Sequence, residues 1–257
     1  MQYLVLFVKN NQQHHFFLHD PSLKNVIPII GTEIILGPEL SMRIATILRL
    51  RPREFCTLFY KSLALKIELT SISPGKGAKV SGRICEITEH APLTPEITLV
   101  CGATKQATFE EICYTAAQLG VTNIFPITTQ KSYVKTYSPK DLIKFNAQAI
   151  AAAEQSKQII LPIIHEPVSL EALLKTRLSS CASTKIIFET DGTPLRSWFT
   201  QGKPTHTTIA CGPEGGFTPE ECALLEQNNF KKMQLCKPVL RTQDAVEVAL
   251  GFIRCLF

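Results

Sequence analysis

The chain has 257 residues, 45% hydrophobic and 19% charged, which excludes a disordered polymer and allows one large or two modest cores. Its 27 basic and 22 acidic residues leave a net charge of +5, which suits an anionic partner but decides little alone. Nine scattered cysteines with no C-x-x-C pair argue against a disulfide framework or a zinc site, and for reduced thiols in a cytoplasmic protein.

Residues 1–75 read as strand-rich. Strands are expected over Tyr3–Val8, His14–Leu18, Glu33–Leu36, Glu54–Tyr60 and Leu63–Ser71, with one helix over Ser41–Leu50. Tyr3–Val8 is too short for a secretory signal and lacks its basic flank, and no stretch is long enough to span a bilayer. The polar, turn-rich run Ser73–Lys79 reads as a linker or a long hairpin loop.

Beyond it, strands and helices alternate. A strand over Ile97–Cys101 precedes a helix over Thr108–Leu119 closed by Gly120. A strand over Ile124–Ile127 precedes a helix from Ser138-Pro139 to Ala153. Strands follow over Ile159–Ile164, Lys185–Glu189, Thr207–Cys211 and Phe230–Leu235. The terminal helix has Ala245, Val246, Val248, Ala249, Phe252 and Ile253 at helical spacing. Such alternation predicts a parallel sheet covered by helices over residues 76–257, behind a small β-barrel-like domain over 1–75.

Three segments carry the chemistry. Arg43, Arg49, Arg51 and Arg53 cluster at the end of the first helix. Their guanidinium forks suit phosphate, although a solvated helix end favoured by the dipole would look the same. Gly212-Pro213-Glu214-Gly215-Gly216-Phe217-Thr218-Pro219-Glu220-Glu221 joins a strand to a helix. Its glycines let another molecule approach the main chain, and Thr218, Pro219 and Glu221 supply a full helix-start signal. The loop Cys236–Thr242 follows the next strand, and loops at one end of neighbouring strands form the usual ligand crevice of an α/β sheet.

The pair G-P-E-G-G-F-T-P-E-E and V-L-R-T-Q-D-A resembles the 16S ribosomal RNA uridine-N3 methyltransferases. These belong to the SPOUT class of knotted, S-adenosylmethionine-dependent RNA methyltransferases. The resemblance covers nearly the whole chain. It implies a PUA-like β-barrel RNA-binding domain over 1–75 and, over 76–257, a SPOUT-type α/β trefoil knot with a mainly parallel sheet. It also implies S-adenosylmethionine near Glu189, Cys211, Gly212, Gly215, Gly216, Leu235, Cys236, Val239 and Leu240. RNA contacts are implied for Arg43, Arg49, Arg51, Arg53, Lys131, Glu154 and Gln155. The expected partners are 16S ribosomal RNA, within the small subunit, and a second copy of the chain in a homodimer, with no metal and no membrane.

Methylating N3 of uracil needs its weakly acidic proton removed and the anion stabilised. Arg241 is the candidate for the second task, and Glu214 and Asp244 are the candidate bases. Where the family has S-E-R-s, this chain has Thr129-Gln130-Lys131-Ser132, and Gln158 replaces the arginine that follows its Glu-Gln pair. At the last loop Cys236, Pro238, Gln243 and Asp244 replace Gly, Arg, Glu and Thr. These changes define a competing expectation: a non-catalytic RNA-binding or ribosome-assembly protein that keeps the fold. A phosphate cradle at G-P-E-G-G is disfavoured, because Glu214 repels phosphate and no Walker or dinucleotide glycine pattern occurs there.

Overall fold

The computed structural model describes residues 14–17, 28–176, 178, 184–197 and 204–257. The strand expected over Tyr3–Val8 lies outside them. The chain divides into two compact units, Met1–His90 and Ala91–Phe257.

The first unit holds a five-stranded sheet. Its strands are β1 (His14–Phe17), β2 (Glu33–Ile35), β3 (Phe55–Tyr60), β4 (Leu63–Ser73) and β5 (Lys79–Glu89), in the order β1-β3-β4-β5-β2. β1 runs parallel to β3, and the other pairings are antiparallel. Ile44, Leu58, Ile67, Leu69, Val80 and Ile84 form the core. Helix α1 (Pro38–Met42) passes into a π-helical segment, Arg43–Ile47, so the expected helix starts earlier than Ser41 and is not regular. Buried Ser41 fixes it, its hydroxyl donating to Leu36 O at 2.9 Å and accepting from Val80 N at 3.2 Å. The run 73–79 is the hairpin loop between β4 and β5, not a linker. The expected division after residue 75 therefore falls inside a hairpin, and the first unit continues to His90.

The second unit is a seven-stranded sheet, and every pairing in it is parallel. Its strands are β6 (Glu96–Gly102), β7 (Asn123–Thr128), β8 (Ile163–Ile164), β9 (Val168–Ser169), β10 (Thr184–Pro194), β11 (His206–Cys211) and β12 (Phe230–Gln234). The order is β12-β10-β11-β6-β7-β8, with β9 also on β7. Helices α2 (Gln106–Gln118), α3 (Pro139–Ser156), α4 (Leu170–Thr176), α5 (Pro219–Gln227) and α6 (Thr242–Leu256) cover it. Successive strand residues feed opposite faces. Leu99, Ile186 and Ile209 join a core with α2, α3 and α6, whereas Val100, Ile187 and Ala210 join one with α4 and α5. Burial on both faces is what makes these strands continuous apolar runs.

Helix starts follow the sequence closely. Ser138 caps α3 and Thr218 caps α5, each in a complete capping box with Asp141 and Glu221. Two expectations need correction. The strand over Ile159–Ile164 is confined to Ile163–Ile164. Val248 is 45% exposed, and the buried stripe of α6 runs through Val246, Ala249, Leu250 and Ile253. The short α4 and the strands β5 and β9 are elements that the sequence patterning did not reveal.

Candidate functional site

The carboxyl ends of β10, β11 and β12 face a single cavity of about 270 Å³. Its lining comes from the β10 bulge (Phe188, Glu189, Thr190), the glycine loop (Cys211–Gly216), the loop after β12 (Leu235, Cys236, Pro238, Val239, Leu240) and the start of α6 (Thr242, Ala245). The bulge arises because Phe188 and Thr193 both register with Met233, pushing the residues between them out of the ladder.

The glycine loop is held from several sides. Gly216 N–H donates to Pro213 O at 2.8 Å, closing a turn with Gly216 at φ +69°. Gly102 lets the loop pass, since a Cβ there would stand 2.3 Å from Pro213 N. Thr242 Oγ1 donates to Gly212 O at 3.2 Å and joins the loop to α6. The loop after β7 reaches it as well. Gln130 N–H donates to Glu221 Oε1 at 2.7 Å, and Lys131 Nζ donates to Phe217 O at 3.2 Å.

Glu189, Cys211, Gly212, Gly215, Gly216, Leu235, Cys236, Val239 and Leu240, the candidates for holding a cofactor, all line this cavity, as does Glu214. Phe188, Thr190, Pro213, Pro238, Thr242 and Ala245 line it too and were not singled out as site residues from the sequence. Thr242 carried a signal, as the residue directly after Leu240-Arg241. Arg241 and Asp244 stand at its edge, paired through Nε and Oδ2 at 3.1 Å, with the arginine side chain 77% exposed. Cys236 has no positive φ, so cysteine in place of glycine carries no backbone strain. Its thiol donates to Pro238 O at 3.2 Å.

The remaining candidates divide. Lys131 borders the cavity, because a Cβ on Gly215 would meet its side chain at 3.1 Å. Glu154 and Gln155 do not come to this crevice within one chain. Helix α3 returns against the strands, and Gln155 accepts from Gln118 Nε2 at 3.2 Å where α2 also ends, beside the amino ends of the strands. Arg49, Arg51 and Arg53 are exposed and Arg43 is half-buried, all in the first unit. Arg49 and Arg53 adopt φ of 52° and 73°, so the chain leaves the π-helical segment through left-handed residues.

The electrostatics of the cavity are those of neutral thiols and carboxylates. Burial pushes Cys211 up to about 12, and burial, then the Glu189 charge, push Cys222 up to about 11. Burial also raises Glu189, against the hydrogen bond it accepts from Cys222 Sγ at 3.6 Å. Two carboxylate side chains, Glu189 and Glu214, line the cavity together with apolar Leu235, Val239 and Leu240, which favours a ligand that combines an apolar part with a cationic one. A Cβ on Gly212 would stand 3.0 Å from Gly216, so this wall stays open only as bare main chain. S-adenosylmethionine, with an adenine and a sulfonium, fits these residues. Among the described residues, no group of three or more His, Cys, Asp or Glu could hold a metal, and no helix is long and apolar enough to cross a membrane.

Residues 91–254 match the family described as an RNA methyltransferase domain. Ribosomal RNA small subunit methyltransferase E of Synechocystis is 28% identical over 172 residues, 66% of this chain and 56% of that protein. The protein of the same name from Rickettsia conorii is 29% identical over 161 residues, 62% of this chain and 64% of its own length. The matched part thus spans less than two thirds of either relative. The Neisseria gonorrhoeae enzyme of that name, crystallised with S-adenosylmethionine, superposes with a TM-score of 0.80 at 23% identity over 96% of this chain and 98% of that one. That likeness establishes the shared fold, with its mainly parallel α/β sheet.

Proposed function

Because this chain belongs to the RNA methyltransferase domain family through residues 91–254, we propose that it transfers a methyl group from S-adenosylmethionine to N3 of a uridine in 16S ribosomal RNA. The observation that supports this most is the convergence of Glu189, the glycine loop and the 235–240 loop on one cavity. The names of the relatives support the small-subunit substrate, and the bound S-adenosylmethionine of the Neisseria structure supports the donor. The order in which β11 lies between β10 and β6 is compatible with the threaded trefoil connection of the SPOUT class.

The donor supplies an electrophilic methyl on a sulfonium. Glu189 and Glu214 favour that positive charge, while the bare Gly212–Gly216 main chain leaves room beside it. Arg241 stabilises the uracil anion, and Asp244, already its partner, or Glu214 accepts the N3 proton. N3 lies on the Watson–Crick edge, so the uridine enters unpaired or flipped from its helix. Because Arg241 is 77% exposed, the site becomes dry only when covered by RNA and by a second subunit packed along α6. Val248, 45% exposed, lies on α6 outside its buried stripe. Arg43, Arg49, Arg51 and Arg53 hold RNA phosphates, which positions the substrate without reading sequence. The working compartment is the cytoplasm, where ribosomal RNA and reduced thiols coexist.

The test is to incubate the protein with donor and small ribosomal subunits from cells lacking it, then to digest the RNA and analyse its nucleosides by mass spectrometry. The expected product is 3-methyluridine. A methyl group on another atom, or no transfer despite donor binding, overturns the assignment. Sedimentation of the purified chain tests the dimer, and a monomer at micromolar concentration counts against it.

A further inference from the structure

The loop from Thr129 to Tyr137 follows β7 at the carboxyl end of the strands, as the donor cavity does, and it is pinned along its length. Gln130 N–H is held by Glu221, and Lys131 Nζ by Phe217 O. Thr129 N–H donates to Ser132 Oγ at 3.0 Å, and Lys135 Nζ folds back onto Thr129 O at 2.8 Å. Buried Tyr137 closes the far end, donating to Thr104 O at 2.8 Å and packing its ring against Phe109 and Phe145. Within this fixed loop Tyr133 is 75% exposed. A tyrosine ring held in water by a hydrogen-bonded loop presents its π face to a ligand.

The surroundings say on what. Lys105 Nζ lies 5.2 Å from the centroid of the Tyr133 ring, occupying one face, and the exposure leaves the other face to solvent. Lys131 and Lys135 stand two positions before and after it in the chain, their ammonium groups donating to Phe217 O and Thr129 O with N–H groups to spare, and all three lysines are exposed. An acidic group is near as well: Glu220 in the first turn of α5 interacts with Lys131. An open aromatic face among ammonium groups is the arrangement that binds single-stranded nucleic acid, the ring stacking a base while the cations follow the phosphates.

We propose that Tyr133, flanked by Lys105, Lys131 and Lys135, is a stacking platform for an unpaired base of the RNA next to the one that is methylated. This rests on the RNA-methylating reading above and adds to it a residue outside the donor cavity that meets the substrate. The platform is a substrate-positioning group, so its removal acts on RNA binding and leaves donor binding alone.

The experiment compares Tyr133→Ala, Tyr133→Leu and Tyr133→Phe with the parent chain in three measurements. These are S-adenosylmethionine affinity by calorimetry, affinity for a fluorescent single-stranded RNA of small-subunit sequence by anisotropy, and KM and kcat for methylation. The alanine and leucine variants should bind RNA about 5- to 150-fold more weakly, the range expected for losing one stacked base. Their KM for RNA should rise in parallel with little change in kcat, and Tyr133→Phe should match the parent. Donor affinity should be unchanged in all three, which also certifies their folding. RNA affinity equal to the parent in Tyr133→Ala overturns the platform, and so does recovery by leucine, which supplies bulk without a π face. If the parent binds RNA but transfers no methyl group, the activity reading falls on its own, and the affinity ratios still decide the platform.

Discussion

The main-chain N–H of Gln130 donates to one oxygen of Glu221 at 2.7 Å while the other oxygen accepts from Thr218 N–H at 2.9 Å. One carboxylate, 9% exposed, thus completes the capping box of α5 and ties the loop after β7 to the glycine loop. Glu221→Ala removes the carboxylate half of the capping box and takes the acceptor from both the Thr218 and Gln130 N–H groups, for an expected loss of about 2–4 kcal/mol. Glu221→Gln keeps one acceptor oxygen and should lose about half as much. Denaturant unfolding measures both, and an alanine variant as stable as the parent would dissolve the tie.

A second prediction concerns the close approach of β6 to the glycine loop. A Cβ on Gly102 would stand 2.3 Å from Pro213 N and 2.8 Å from Pro213 Cα, both main-chain atoms that cannot rotate away. Gly102→Ala must therefore displace the wall of the cavity. The expected cost is about 1–3 kcal/mol in stability, and a donor affinity lower by roughly tenfold or more. Gly251 in α6 is the contrast, since a Cβ there meets nothing within 4 Å of this chain. Gly251→Ala should leave donor affinity untouched and gain about 0.5–1 kcal/mol from reduced chain entropy. Calorimetric titration of the two variants separates the cases.

The third prediction is a pH dependence. Burial raises the Glu189 carboxyl from its ordinary value of 4.5, so the folded chain holds this proton more tightly than the unfolded one. The favourable contribution is therefore complete below the unfolded value and is lost as pH rises through the folded one. At neutral pH the ionised, half-buried carboxylate weighs against folding. Glu189→Gln should melt higher than the parent at pH 7 without donor, and the advantage should vanish on acidification below about 4.5. The same substitution should weaken donor binding, because the neutral amide no longer favours a sulfonium. Melting curves across this pH range decide it: an advantage that persists unchanged in acid would locate the effect elsewhere.

What the sequence disclosed is what is encoded locally. The start of α5 is written in Thr218, Pro219 and Glu221, and the parallel sheet in the alternation of apolar runs with amphipathic ones. The cavity was legible because its walls are loops that directly follow strands, so a strand's end also locates the residues after it. β5 escaped because its buried positions are Val80, Gly82 and Ile84. The glycine that thins the apolar pattern is there because a Cβ would stand 2.3 Å from the Ile67 side chain. Glu154 and Gln155 close a helix that runs back from the carboxyl ends of the parallel strands, and the bond from Gln118 Nε2 to Gln155 Oε1 joins two such helix ends that are 37 positions apart in sequence. The link between Gln130 and Glu221 joins positions 91 apart in number, and no periodicity reports such a pairing.

The last prediction separates stability from the site. At the far end of α6 the Arg254 guanidinium donates to Leu119 O at 2.7 Å, Gly120 O at 2.9 Å and Pro95 O at 2.7 Å. Those carbonyls belong to the end of α2 and the approach to β6, where a helix terminus leaves acceptors without partners. A lysine has a single nitrogen and cannot reproduce the planar fork, so Arg254→Lys should lose more than half of what Arg254→Ala loses, about 2–4 kcal/mol. Because α6 begins at the cavity with Thr242 and ends here, the two functions of the helix lie at opposite ends of the strands. Donor affinity at low temperature, where both variants are folded, should therefore equal that of the parent. A loss of affinity in step with the loss of stability would mean that Arg254 fixes the pitch of α6 along its whole length and, through Thr242, the position of the glycine loop.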